Sequence, residues 1–329
     1  MGSAPTKRAN FRDGETMIQQ TTNKQHNRFA IDIIMCASPL SSKLVDDAYT
    51  TEFKAASHLT NVHLFDIKKL SDLILPKVES RKLIYHGWMM PPSIYEVFYN
   101  KCKEFGYDLI NSPDQYIGCH HFDRWYPALK YLTPESIIVE ITNLRAMTDQ
   151  VARFMLENDC GVFLKDYVKS IKHYWYEAAF IPKGADFFTI AKVLNKFFVL
   201  KELYDDLQGN LVVRKFVPLK VIGKHEKSEM PIVQEFRTFV IDNTLLPTYR
   251  YWSHDNYSSD TPAPSFIETI ANKIYYKTHS KLFTVDVAQL ESGSWICIEV
   301  GDGQVSAIPE HENRPFFFEW LLHSAEKMK

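Results

Sequence analysis

The sequence predicts an N-terminal α/β domain built on a small parallel sheet, followed by an α+β unit whose strands run largely antiparallel. Three observations carry this. From residue 29 to about 111, short apolar strands alternate with helical stretches, the pattern of a parallel sheet with helices on its faces. Beyond residue 135 strands follow one another instead, which reads as an antiparallel sheet. A chain of 329 residues is also long enough to fill two or three cores.

Taken in order, residues 1–27 are polar and without periodicity, and are expected to form a mobile tail. Residues 29–36 (FAIDIIMC) form a short apolar strand that ends in the loop Ala37-Ser38-Pro39. Val45, Ala48, Tyr49, Phe53 and Ala56 make one helical stripe over 45–56. Strands follow at 62–65, 82–86 (KLIYH) and 108–111 (DLIN). Between the last two, a helix starts at Pro92 and is stopped by Gly106. Residues 126–135 read as loop, and the domain boundary is set near 135, giving domains of 28–135 and 136–329.

In the second unit a helix over 147–158 leads to a strand at 161–165 (GVFLK) that ends on Lys165. Another helix spans 187–203. Strands then follow at 211–217, 233–241, 246–252, 282–287 and 295–300, interrupted by a helix at 264–278.

Composition narrows the function. A formal net charge of −2 gives no global reason to expect nucleic acid or an anionic membrane as partner, although a local basic groove stays open. Five scattered cysteines without a CxxC pair argue against a disulfide framework or a zinc site. Cys119-His120-His121 crowds metal-ligand types together, but adjacent residues rarely aim at one ion, so it reads as structural. No apolar run approaches the ~18 residues that span a bilayer, and the polar N-terminus has no signal-peptide core. The expectation is a soluble cytoplasmic protein.

The chemistry concentrates near the C-terminus. The strand at 282–287 (LFTVDV) is apolar but for Asp286, and that at 295–300 (WICIEV) is apolar but for Glu299. The turn between them makes them antiparallel neighbours, so the two acids can stand side by side. Either both lie on a solvated face with basic partners, or they surround a magnesium ion, which favours hard oxygen ligands and leaves positions for phosphate. Lys165, Lys169 and Lys172 lie within eight residues of a strand end and can serve a polyphosphate. Arg214-Lys215 precedes Phe216, Val217 and Pro218, an apolar wall suited to a purine, while Arg237 and Arg250 sit inside apolar strands. Strand cations with strand-end carboxylates are what a phosphate–magnesium site requires. Trp88, Tyr116, Trp125 and Tyr126 read first as core anchors.

This order of segments resembles an ATP-grasp domain, in the clade named for an arginine and two lysines. The resemblance rests on FLKDYVKS (163–170), EFRTFV (235–240), FTVDV (283–287) and IEVGDGQVS (298–306), with YHGWMM (85–90), LINSPDQY (109–116) and WYP (125–127) in the N-terminal half. It runs from about Ile31 to about Pro309. It implies a pre-ATP-grasp-like N-terminal domain against two ATP-grasp lobes, with ATP and Mg2+ as cofactors. The reaction implied joins carboxylate and amine substrates, small molecule, peptide or protein, through an acyl phosphate. By motif position Lys165 would hold the α- and β-phosphates, Lys169 would lie over the phosphates, and Arg214, Lys215, Phe216 and Val217 would form the adenine hinge. Arg237 and Arg250 would face the γ-phosphate and acyl phosphate, and Asp286 and Glu299 would bind magnesium. Related ligases place asparagine, the third metal ligand, where this chain has Gly301, so Asp302 is the expected substitute. The hinge carries Arg214-Lys215 where an acidic or amide residue is frequent, and the phosphate loop has little glycine. The alternatives are phosphoryl transfer to a non-carboxylate acceptor and a catalytically silent nucleotide-binding protein. Residues 252–264 are expected to help shape the substrate pocket.

Overall fold

The computed structural model describes residues 28–204, 207–226 and 228–328. The expected tail, 1–27, lies outside the described residues.

The first sheet is built on β1 (Asp32–Ser38), whose first six residues are all buried, the mark of a strand covered on both faces. β2 (Ser41–Val45) folds back on its end as an antiparallel hairpin. β3 (Val62–Phe65) and β4 (Arg81–His86) pair with β1 on either side, and β5 (Tyr107–Leu109) pairs with β4, all parallel. Val45 is drawn into the hairpin, so the helix expected from 45 starts later. A 3-10 turn over Asp47–Tyr49, capped by the Asp46 carboxylate, leads into α1 (Thr50–Ser57). The hairpin escaped sequence reading because SSKLV has no alternation of apolar and polar residues. α2 (Pro92–Glu104) opens on proline and is ended by Gly106, which sits at φ +88°.

In the stretch between the strand expected at 108–111 and the loop expected from 126, the chain makes α3 (Pro113–His120), with a Ser112/Gln115 capping box, and α4 (Phe122–Leu129), which runs on into that loop. Pro127 lies inside α4 and hides it from a pattern search, yet α4 buries Phe122, Trp125 and Leu129 on one side. These two helices carry the chain from the first sheet to the rest.

Two antiparallel sheets follow. In the first the strand order is β6-β9-β7-β8, from β6 (Ser136–Val139), β7 (Val162–Lys165), β8 (Phe180–Ile181) and β9 (Leu211–Lys215). α5 (Leu144–Glu157) and α6 (Phe187–Leu203) pack on it around Val151, Phe154, Leu194 and Phe197. β10 (Val221–Lys224) and β11 (Pro231–Val233) form a separate hairpin, so the strand expected over 233–241 is split at Gln234.

The second sheet has the order β13-β12-β14-β15, from β12 (Glu235–Ile241), β13 (Thr244–Arg250), β14 (Leu282–Gln289) and β15 (Trp295–Asp302). Strand alternation divides its side chains between two cores. Phe236, Val240, Phe283, Val285 and Val287 pack with α4 and with α7 (Pro264–Thr278). Phe239, Ile241 and Leu282 pack toward the first sheet and α8 (Arg314–Glu326), a helix the sequence reading did not foresee. Among the described residues no helix is long and apolar enough to cross a membrane, and all five cysteines are free and buried.

Candidate active site

Three strands of the second sheet bring charged side chains into one row. Arg237 on β12 pairs with Asp286 on β14, and Asp286 pairs with Glu299 on β15. Directly opposed residues share a face, so all three project the same way. The Arg237 guanidinium grips Asp286 through two parallel bonds, Nε to Oδ1 at 2.8 Å and Nη2 to Oδ2 at 2.7 Å. Its third nitrogen donates to the Ala307 carbonyl at 2.9 Å, and the group lies 4.7 Å from the Tyr251 ring centre. Burial alone would favour loss of its proton, but Asp286 more than offsets that, and Arg237 is held still more firmly cationic than usual.

A β-bulge keeps Glu299 in the row. Asp286 pairs with Glu299, but the next residue, Val287, pairs with Cys297, leaving Ile298 as an extra residue. Cys297 and Val300 therefore both face the core while Glu299 faces Asp286.

The first sheet of the second unit supplies the opposing cations. Lys165 ends β7, is 1% exposed, and donates to Glu299 Oε1 at 2.6 Å. Because Lys165 pairs with Val212 and Phe163 with Arg214, Lys165 and Arg214 share a face, and both lie over the Phe122 ring at 5.6 and 5.4 Å. Burial works against ionised Glu299, yet Lys165 first, then Arg214 and Lys172, keep its carboxyl below the ordinary range. Lys172 stands over Trp252 at 4.9 Å and Tyr251 at 5.3 Å. Burial works against its proton too, but Tyr251, Glu235 and Glu299 hold it above its usual pKa. Glu235 lies on the same face as Arg237, accepts from Trp252 Nε1 at 3.1 Å, and is pushed up to about 7 by burial and then by Asp286.

Between the two sheets lies a cleft of about 1050 Å³, open to solvent at its mouth. Lys165, Lys172, Glu235, Asp286 and Glu299 line one part. Phe163, Trp175, Phe216 and Val217 line another, with Trp175 stacked on Phe180 at 5.6 Å and edge-on to Phe216 at 6.2 Å. One region is charged and one is aromatic and flat.

Of the residues singled out from sequence, the structure brings Lys165, Arg237, Asp286 and Glu299 into contact, and Lys215, Phe216 and Val217 to the cleft wall. Four placements differ from expectation. Arg250 pairs with Phe236, not Arg237, so it projects from the opposite face and sits over Tyr257 at 5.1 Å. Asp302 pairs with Phe283 and also points away from the acid row. It is fully buried, accepts from Asn111 at 2.6 Å and from the Gln304 N–H at 2.8 Å, and burial pushes its carboxyl up to about 7. The strand position on the acid row is that of Gly301, opposite Thr284. Lys169 rides a tight turn in which Lys165 bridges to Ser170 and the Asp166 carboxylate accepts the Lys169 N–H at 2.6 Å, and it is Lys172 that lines the cleft. Arg214 reaches the cleft wall, but its guanidinium donates to the Ile298 carbonyl at 2.6 Å.

Sequence reading gave no role to Glu235 or Tyr251, whereas Trp252 opens the segment expected to shape the substrate pocket and does line the cleft. Glu235 carried a usable signal, since acid-x-arginine on a strand puts both charges on one face. His120 is buried and pushed down to about 3 by burial, and among the described residues no set of three or more His, Cys, Asp or Glu gathers to hold a metal. The pair Asp286 and Glu299 fits a magnesium ion that draws its remaining oxygens from phosphate and water, since both are hard carboxylates on adjacent strands beside the cleft.

The ATP-grasp domain family, third of the clade named for an arginine and two lysines, matches residues 156–319. Among solved structures, the D-cycloserine synthetase DcsG superposes with a TM-score of 0.58 at 11% identity, covering 89% of this chain and 99% of the other. D-alanyl-alanine synthetase A from Vibrio cholerae gives 0.57 at 10% identity, over 91% and 100%. The ATP-grasp ligase PsnB, complexed with a minimal precursor, Mg and ADP, gives 0.54 at 9% identity, over 90% and 98%. No curated protein matches the chain by sequence.

Proposed function

Residues 156–319 form an ATP-grasp domain of the arginine-and-two-lysine clade, and from this premise we propose that the chain is an ATP- and magnesium-dependent ligase that activates a carboxylate for attack by an amine. The observation that carries the reading is the 2.6 Å contact of Lys165 with Glu299 across the two sheets, with Asp286 directly opposite Glu299. Each carboxylate of the row is met by a cation of the protein itself, Asp286 by Arg237 and Glu299 by Lys165. A triphosphate entering the cleft supplies the negative charge that Lys165 and Lys172 then serve, freeing Glu299 to act with Asp286 as a metal ligand.

Phe216, Val217 and Trp175, which line the cleft with Lys215 at the edge of the same wall, would hold the base of the nucleotide. Lys165 holds the phosphates, and Arg237, fixed by Asp286 and Ala307, presents its guanidinium to the transferring phosphoryl group. The bound magnesium supplies neutralisation of charge on the phosphates. In the first step a substrate carboxylate oxygen attacks the γ-phosphorus, the bond to the β,γ-bridging oxygen breaks, and ADP leaves. In the second an amine attacks the acyl carbon of the acyl phosphate and inorganic phosphate leaves. No side chain becomes covalently modified, so the protein's tasks are alignment, charge stabilisation and exclusion of water. Lys169 stands on the turn beside this site, whereas Arg250 and Asp302 lie on the other face of the sheet and take no part in the step.

The solved relatives include enzymes named for small amino-acid products and one complexed with a precursor peptide, so the acceptors proposed here are carboxylates and amines of either size. Five free, buried cysteines suit the reducing, ATP-rich cytoplasm. The test is calorimetric titration with ATP and magnesium, then ADP release with panels of acids and amines, with hydroxylamine to trap the acyl phosphate as a hydroxamate. Failure to bind ATP, or binding unaffected by Asp286→Ala with Glu299→Ala, overturns the assignment.

A further inference from the structure

The cleft contains a cation that the phosphates do not explain. Arg214 is 6% exposed and lies over the rings of Phe122 at 5.4 Å and Trp125 at 6.0 Å. Its Nε has no hydrogen-bond partner, and burial lowers its hold on the proton. Burying a guanidinium is costly compared with an apolar side chain of the same shape. Its charge helps hold Glu299 ionised, but its one close contact is the Ile298 carbonyl at 2.6 Å, since Thr133 Oγ1 is distant at 3.4 Å.

Ile298 is the extra residue of the β15 bulge. Bulged backbone groups drop out of the strand ladder and need other partners. The wall around Arg214 provides them, for the neighbouring Cys297 N–H donates to the Leu132 carbonyl at 2.8 Å. Were the bulge to relax, the pleat would turn Glu299 from the Asp286 face to the opposite one.

We propose that Arg214 is a positioning residue that locks the Ile298 bulge and so aims the Glu299 carboxylate into the cleft, without touching the nucleotide. This rests on the reading of the cleft as an ATP–magnesium site. Lys165 and Arg214, on one face of one sheet, then divide the work on consecutive residues of β15: the first balances the Glu299 charge and the second fixes where that charge points.

The test uses the full chain, with Mn2+ affinity read by electron paramagnetic resonance in the presence of ADP, and metal-free ADP affinity read by calorimetry. Arg214→Met should bind metal-free ADP within about twofold of the unaltered protein but Mn2+ at least about tenfold more weakly, the scale of losing a residue that orients a metal ligand. Arg214→Lys, which keeps one donor and the charge, should fall between. In a Glu299→Gln background Arg214→Met should add no further loss of Mn2+ affinity. Unchanged Mn2+ affinity overturns the proposal. So does an equal loss of metal-free ADP binding, which would make Arg214 a nucleotide contact. If Arg214→Met does not fold, Arg214→Lys decides the question by the same two affinities. If the unaltered protein binds neither Mn2+ nor ADP, the ligase reading fails instead.

Discussion

Lys165 and Glu299 meet at 2.6 Å across the seam between two sheets, although 134 positions separate them in the chain. Lys165 is almost fully enclosed, while the Glu299 side chain keeps 36% of its exposure. Solvent therefore screens the acid's end of the pair, and the contact is worth more to ligand binding than to folding. Lys165→Met should lower stability by less than about 1 kcal/mol. ATP affinity should fall at least about tenfold, the cost of a lost charge-assisted phosphate contact of about 1.5–3 kcal/mol. Urea denaturation and calorimetric titration on the same sample separate the two effects.

The Arg237–Asp286 pair behaves in the opposite way. Both side chains are enclosed, at 11% and 5% exposure, and the contact is bidentate. Removing one partner strands a buried charge, so Arg237→Met should cost about 3–5 kcal/mol. Replacing both, with Arg237→Met and Asp286→Leu, should return at least about 1 kcal/mol of that loss in a double-mutant cycle. Additive losses in urea denaturation would show that the two side chains do not depend on each other.

Glu235 gives a pH signature. Its carboxyl is raised from 4.5 to about 7, by burial and by Asp286. An acid whose folded pKa exceeds its unfolded pKa holds more protons in the native state between the two values. Stability therefore falls as pH rises from about 4.5 toward 7 and is level above that. Glu235→Gln keeps an acceptor for Trp252 Nε1 and removes the ionisation. It should flatten part of that fall and stabilise the protein above pH 7, by on the order of 3 kcal/mol at most. Asp302, raised in the same direction to about 7, retains the remainder of the slope. Melting temperatures between pH 5 and 8 decide it, and an unchanged slope would count against the buried-acid account.

Gly301 occupies the place on the acid row where a third oxygen ligand would stand. A Cβ there would meet Thr284 Oγ1 at 3.2 Å and Ser306 Oγ at 3.3 Å, and those two hydroxyls already bond each other at 2.9 Å. Gly301→Asn should therefore cost about 1–3 kcal/mol through crowding and leave magnesium affinity no tighter. Tighter magnesium binding in a calorimetric titration would contradict this.

Much of this site was legible before any fold was known. Asp286, Glu299 and Lys165 stood out because each is a lone charge in an apolar strand, and Arg237 as a cation in a strand whose only other charge is Glu235, since burying such charges demands partners. Of the two readings open for the acids, the structure shows the basic partners, Arg237 on Asp286 and Lys165 on Glu299. Lys172 was noticed only as one of three nearby lysines. The Asp166–Lys169 turn determines which of them lines the cleft, and a turn closed by a side-chain carboxylate leaves no periodic trace. Helix α4 was hidden by Pro127, and β2 by its polar composition.

The sequence by itself determined where strands carry charge, the order of the segments, and the α/β-then-α+β architecture, because alternation and apolar runs are local properties of a chain. Only the tertiary structure decided which face each charge takes. One extra residue, Ile298, turns Glu299 toward Asp286, while plain alternation sends Asp302 and Arg250 to the other side. The reason is that strand register is set by hydrogen bonds between distant segments, and a shift of one residue reverses every side chain that follows.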